Sequence, residues 1–161
     1  MKLSFPGLLM AVAAACMCMT PSVMAAPAQA FTEIVVEYNG TEIADGDATP
    51  STADGTDFGQ DHFNLAAYSP VHTFTIRNTG AAVLNLGGTP RVAVAGVDFS
   101  LTEDAPLSIA VGSSATFKVK FAASATVVRN GTISITNDDG DENPYNFSIT
   151  GTGYSGSLMI V

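Results

Sequence analysis

The sequence has no tryptophan, two cysteines, and six lysines and arginines in 161 residues. Each shortage excludes something. Cys16 and Cys18 both fall in one N-terminal apolar stretch. The residues beyond it hold no thiol, so a fold there rests on its apolar core and not on disulfides. The roughly 125 residues after that stretch are enough to bury such a core in one domain. Basic residues are few against 15 aspartates and glutamates, which gives a formal net charge of −9. Charge-driven contact with nucleic acid or an anionic membrane needs a basic face, and this composition argues against one. An acidic surface serves solubility. After the N-terminal stretch no run of 18 apolar residues occurs, so no later segment reads as a membrane-spanning helix. No helical periodicity occurs there either.

Residues 1–30 read as a secretory signal peptide. Lys2 is a minimal positive start, residues 8–19 are apolar and small, and Ala28-Gln29-Ala30 is a cleavage site of the A-x-A kind. Cleavage there starts the mature chain at Phe31; Val23-Met24-Ala25 offers a second site. The expected location is secreted, periplasmic or cell-surface, in a bacterium. The alternative is a lipid anchor on Cys16, which comes directly after the small residues Ala13-Ala14-Ala15.

The rest of the chain is rich in short alternating segments. Residues 131–153 (GTISITNDDGDENPYNFSITGTG) read as strand, acidic turn, strand. Ile133 and Ile135 share one face, and Tyr145, Phe147 and Ile149 share another, which is the period of half-buried strands. Residues 115–121 carry the cleanest alternation, Phe117, Val119 and Phe121 against Thr116, Lys118 and Lys120. Further strands are expected at 31–38, 71–78, 83–86, 91–95, 98–101 and 107–111, with turns such as Asn39-Gly40 and Thr79-Gly80 between them. Residues 45–61 (DGDATPSTADGTDFGQD) read as a long loop that Phe58 plugs onto the core. Seven to nine short strands at roughly ten-residue spacing indicate an all-β fold, an immunoglobulin-like antiparallel β-sandwich, with a closed barrel as the second choice. The domain is expected over 31–153, with a short tail at 154–161. The first strand, with Glu33 and Glu37 outward, is the candidate free edge.

Catalytic chemistry finds few carriers. His62 and His72, the two histidines, have no cysteine partner and no zinc-ligand spacing. Ser155 lacks the G-x-S-x-G setting of a nucleophile, and Gly87-Gly88 precedes no helix that could hold phosphate. No catalytic residue, cofactor or firm metal ligand is assigned. Two acidic loops stand out: Asp45, Asp47, Asp54 and Asp57 in one, Asp138, Asp139, Asp141 and Glu142 in the other. Their side chains can cap turn backbone and stay solvated. Alternatively, Asp45, Asp47, Asp138, Asp139, Asp141 and Glu142 can supply calcium with oxygen ligands, if both loops fall at one end of the sandwich. Asn39-Gly40-Thr41, Asn130-Gly131-Thr132 and Asn146-Phe147-Ser148 match the glycosylation pattern but read as turn and strand residues in a bacterial protein.

Three runs together resemble a known family: DGDATPSTADGTDFG at 45–59, TFTIRNTG at 73–80, and TNDDGDENPYNFSITGTG at 136–153. In this order the chain is similar to the bacterial choice-of-anchor D surface domain, itself akin to Hydin-type and major-sperm-protein-like domains. The resemblance runs over about residues 34–153. It implies an immunoglobulin-like sandwich without catalytic residues, acting as a structural or adhesive module of a secreted or surface protein. The chain departs from the family in having one copy, no sorting segment, and no Pro or Gly between Phe121 and Arg129. The expected function is therefore that of an exported, non-catalytic binding module with an unidentified protein or surface partner, and calcium stabilisation is the alternative. The intact mass of the exported protein tests the leader. A chain beginning at Phe31 is expected; one beginning at Cys16 with added acyl mass would replace the free form by a lipoprotein.

Overall fold

The computed structural model describes residues 30–63 and 65–156. The leader, Cys16, and residues 157–161 of the expected tail lie outside them. Eleven strands occur in order among the described residues: β1 (Ile34–Tyr38), β2 (Thr41–Ile43), β3 (Asp57–His62), β4 (Val71–Asn78), β5 (Leu84–Asn85), β6 (Val92–Ala95), β7 (Phe99–Glu103), β8 (Ser108–Ile109), β9 (Ser114–Phe121), β10 (Val128–Ile135) and β11 (Tyr145–Tyr154). One sheet has the order β2-β1-β4-β9-β7 and the other β3-β11-β10-β6, while β5 and β8 form a small separate pair. The chain is an immunoglobulin-like β-sandwich.

The alternating residues close it. In β4 and β9, Phe74 lies opposite Phe117, their rings stacked with centroids 5.2 Å apart. From the second sheet, the ring of Phe147 meets Phe74 at 5.8 Å. β10 and β11 form the expected hairpin, with Ile133 opposite Phe147 and Ile135 opposite Tyr145. All these side chains are buried, together with Ile34, Val36, Ile76, Val119, Phe121 and Ile149. Strands that place every second residue on one face bury an unbroken apolar layer, at roughly 1.5–3 kcal/mol for each large side chain.

Three expectations change. The first strand is not an edge: β2, a three-residue strand after the Asn39-Gly40 turn, pairs with its outer side while β4 pairs with its inner side. The long loop does not extend to Asp61. Its last residues form β3, which runs parallel to β11, so the sandwich has one parallel strand pairing among antiparallel ones. The strands number eleven because β2 and β3 join the nine expected from the sequence, of which β5, β6 and β8 are pieces of two to four residues. β11 runs from Tyr145 through Tyr154. Phe58 is buried in the core as expected, but from a strand.

Phe74→Ala is expected to cost about 3–5 kcal/mol in urea unfolding, because the cavity opens between both sheets. Val83→Ala, on an exposed side chain, is expected within about 0.5 kcal/mol of the parent. A Phe74→Ala loss as small as that of Val83→Ala would place the closing contact elsewhere.

Candidate functional site

The two acidic loops approach one end of the sandwich, where β1 begins and β10 turns into β11. Most of their carboxylates already serve backbone groups. Asp139 is 4% exposed and accepts from Ile34 N at 2.9 Å. Asp138 accepts from Asn85 N at 2.8 Å and Asn85 Nδ2 at 2.6 Å. Asp45 accepts from Asn146 N at 2.7 Å. Asp47 accepts from Thr49 N at 2.9 Å and Thr49 Oγ1 at 2.7 Å. Asp54 and Asp57 lie further along, capping Thr56 N and Gly59 N. For Asp54, burial pushes the pKa up, but the bonds from Thr56 and Ser51 outweigh it and hold the carboxyl below its ordinary value.

Asp141 N donates to Asp139 Oδ1 at 3.4 Å, and Glu142 stands apart from the others. Its Oε2 is buried without a hydrogen-bond partner. Partial burial, then the charges of Glu33, Asp139, Asp45 and Asp141, raise its pKa from 4.5 to about 7. Glu33 is also raised, by partial burial and by Asp139 and Asp141. Asp45, from the first loop, thus reaches the field of the second, and Asp47 sits beside Phe147 of β11. Yet among the described residues no group of three or more His, Cys, Asp or Glu side chains is placed to hold a metal ion.

The histidines do not meet. His72 stacks on Phe58 at 4.1 Å and lies 4.8 Å from Tyr38. Its Nδ1 is 2.7 Å from the carbonyl of Gly55, which can only accept, so Nδ1 carries the proton. Burial holds its pKa below the ordinary value. Gly55, at φ +73°, must be glycine, because a Cβ there would strike the Tyr38 ring. His62 Nε2 donates to Gly156 O at 2.9 Å, at the other end of β11.

That other end is about 30 Å along the ten residues of β11. It carries Tyr68, Val71, Val97, Val127, Val128 and Tyr154, six of the ten exposed large apolar side chains among the described residues. The strand registers put them together. Val71 opens β4 while Asn78 closes it beside Ile34 at the acidic end. Val128 faces Thr152, and Val97 comes after β6, whose Ala95 lies opposite Thr132. A groove of about 610 Å³ lies here, lined by Gln60, Asp61, His62, Leu65, Tyr68 and Tyr154. Asp61 is 3% exposed, and its Oδ2 accepts from Ser69 Oγ at 3.1 Å and Ala123 N at 2.7 Å. Sequence reasoning missed this residue, since an aspartate closing a polar run gives no sign of burial. It also missed the apolar end, whose members come from separate connections and strand termini.

Glu142→Gln is expected to change stability with pH. A carboxyl raised in the folded state binds more protons folded than unfolded between pH 4.5 and about 7. Stability therefore falls as pH rises through that window. The glutamine variant is expected to match the parent near pH 4 and to exceed it at pH 8 by about 1–2 kcal/mol, with solvent screening part of the charge. Parallel stability curves over pH 4–8 would show that Glu142 does not ionise under strain.

No family model and no curated protein matches the chain. Solved structures share its architecture. A protein of unknown function from Porphyromonas gingivalis W83 is 16% identical, with a TM-score of 0.52 over 76% of this chain and 46% of that one. The secreted serine protease VesC from Vibrio cholerae is 16% identical, with a TM-score of 0.46 over 60% of this chain and 21% of that one. PapD-like domain 7 of human CEP192 is 12% identical, with a TM-score of 0.44 over 86% of this chain and 98% of that one. The chain spans less than half the length of the first two. At such identities the likeness, which passes a TM-score of 0.5 in the first of the three, is one of fold alone.

Proposed function

We propose that the chain is an exported, non-catalytic binding or structural module of the cell envelope or extracellular space, of the choice-of-anchor D kind. The observation that carries this reading is the gathering of exposed apolar side chains at the end of the sandwich remote from the acidic loops. Exposed apolar surface concentrated on connections held by a rigid scaffold is the ordinary setting of a protein-recognition surface. Val97, Val127 and Val128 flank a fixed point there. Arg129 Nε donates to Asp98 Oδ2 at 2.8 Å, and Asp98 also accepts from Ser124 N at 3.1 Å. Burial pushes the Asp98 carboxyl up, but the Ser124 and Arg129 bonds outweigh it and keep it ionised. The connections around the valines are thus tied down, which lowers the ordering cost of binding.

The non-catalytic part of the reading is supported by where the reactive groups go. His72 is used in packing, Asp61 on Ser69 and Ala123, and Asp138 and Asp139 on backbone N–H groups. Calcium is left out on the same ground: Asp45, Asp47, Asp138 and Asp139 already accept hydrogen bonds. Export rests on the leader, and a lipid anchor through Cys16 would keep the module at a membrane face without changing the surface it presents. In the described residues no helix is long and apolar enough to cross a membrane.

The test is capture from the host's envelope by the parent chain and by a Val97→Asp/Val128→Asp variant. Both substitutions fall on exposed side chains, so folding is expected to survive them. A component held by the parent and lost by at least about tenfold with the variant is expected, since a charge buried in an apolar contact goes unpaired. Equal capture by a folded variant, or no component held, would overturn the assignment to this surface.

A further inference from the structure

We infer that the groove on the outer face of β10 and β11 is a binding site for a neutral saccharide, held by Asn130, Thr132 and Ser148. The site shares no residue with the apolar surface proposed above and stands whether or not that surface takes a partner. The groove has a volume of about 440 Å³, with Ala48 and Pro50 on one side and Asn130, Thr132 and Ser148 of the sheet on the other. That volume falls in the roughly 300–1,000 Å³ range of small-ligand sites. Its wall is the connection after β2. Gly46 N donates to Asn146 O at 2.7 Å and Ser148 N to Asp47 O at 2.8 Å, so this connection takes the edge of β11 before β3 begins. Asp47 caps Thr49 and Asp54 caps Thr56, while the ring of Pro50 fixes its own φ. The wall is therefore preformed, and a ligand does not have to order it.

The floor supplies the recognition. In the β10–β11 register Thr132 lies opposite Ser148 and Asn130 opposite Thr150. Alternation sends Ile133 and Ile149 into the core, so these polar side chains share the outer face. Thr150 Oγ1 donates to Asn130 Oδ1 at 3.1 Å, which uses the Asn130 carbonyl oxygen and leaves its Nδ2 as a donor. Among the described residues Asn130 Nδ2, Thr132 Oγ1 and Ser148 Oγ have no hydrogen-bond partner. In the neighbouring connection, by contrast, Asp47, Ser51, Asp54 and Thr56 all bond to one another or to backbone. The unused groups set the ligand chemistry. No lining side chain is charged, so an ion finds no counter-charge. None is aromatic, and Ile149 is buried, so a large apolar molecule finds no contact surface. A neutral molecule rich in hydroxyls can donate to and accept from Thr132 and Ser148 and accept from the Asn130 amide. A saccharide is such a molecule, and its ring carbons suit the Ala48 and Pro50 wall. Toward β6 the face continues through Ala93 and Ala95, both exposed and too small to obstruct a longer sugar chain laid across the strands.

The experiment titrates the isotope-labelled full chain with maltotriose and with tri-N-acetylchitotriose and follows the amide chemical shifts. Saturating shifts centred on Ala48, Gly131, Thr132 and Ser148 are expected with at least one of the two. The expected dissociation constant is on the order of 1 mM, because each hydrogen bond replaces one to water. A Thr132→Val/Ser148→Ala variant removes both hydroxyls. Neither position is in the core, so folding is expected to survive. Its binding is expected to weaken by at least about tenfold. Glycerol at the same concentration of hydroxyl groups is expected to leave these amides unmoved. Shifts that saturate with neither trisaccharide by about 20 mM, that lie elsewhere, or that glycerol reproduces overturn the inference. Equal binding by a folded variant overturns it as well. If the variant loses its amide dispersion, nuclear Overhauser contacts from the sugar ring protons to Pro50 and Thr132 in the parent decide: their presence supports the site and their absence overturns it.

Discussion

Phe74 meeting Phe147 across the sandwich is the contact on which the rest depends. The described residues contain no cysteine, so nothing covalent joins the two sheets. The joining is done by rings: Phe74 stacks on Phe117 within its own sheet, approaches Phe147 of the other, and stands 5.7 Å from Tyr38 and 6.3 Å from Phe58. Tyr38 and Phe58 in turn enclose His72, whose Nδ1–H holds the Gly55 carbonyl. The loop before β3 is thereby fixed from the core outward. Without the ring cluster, β3 would have no reason to leave solvent, since only Phe58 and Asp61 of its six residues are buried.

A sandwich closed by rings still has to satisfy the backbone where its connections cross, and here short polar side chains act. Asn78 Nδ2 donates to Ala82 O at 2.7 Å and Ile109 O at 2.9 Å, and its Oδ1 accepts from Gly80 N at 3.0 Å. One buried side chain so ties the end of β4 to the turn after it and to β8. Asp104 accepts from Arg91 N, Val92 N and Ala105 N, joining the start of β6 to the end of β7. Asp139 joins the β10–β11 turn to β1. A buried N–H without an acceptor costs about 1–3 kcal/mol, and a carboxylate is the stronger acceptor. Much of the acidity that composition assigns to solubility is therefore internal bonding.

Period-two alternation made β4, β9, β10 and β11 legible in the sequence, because an apolar residue at every second place suits a half-buried strand and little else. β3 was not legible. Asp57, Gly59, Gln60 and Asp61 have the composition of a turn, and the strand exists because β11 offers a parallel edge and Phe58 a core contact. In the sequence β1 has the look of an edge because β2 is only Thr41-Glu42-Ile43, too short to show a period. The acidic loops were visible as charges but not as bonds. Asp139 and its partner Ile34 are 105 positions apart, and no local pattern reports such a pair. The apolar end was hidden for the opposite reason: each valine or tyrosine is ordinary alone, and only the registers bring them to one place.

The two ends are thus built for different purposes. At the acidic end Glu142 keeps an oxygen buried and unpartnered among like charges, and its carboxyl remains partly protonated near neutrality. Such an arrangement costs stability, and the fold tolerates it because Asp138, Asp139 and Asn137 already hold the turn. Asn137 Nδ2 donates to Ile135 O and Glu142 O, so the backbone of Glu142 is fixed whatever its side chain does. At the apolar end there is no comparable charge crowding: the Arg129–Asp98 pair is neutral as a unit and Asp61 is bonded twice. A partner approaching that end meets apolar side chains without displacing a strained carboxylate. Since β11 spans the distance between the ends as one continuous strand, pH acts on one end while binding acts on the other, and the two are separable by substitution.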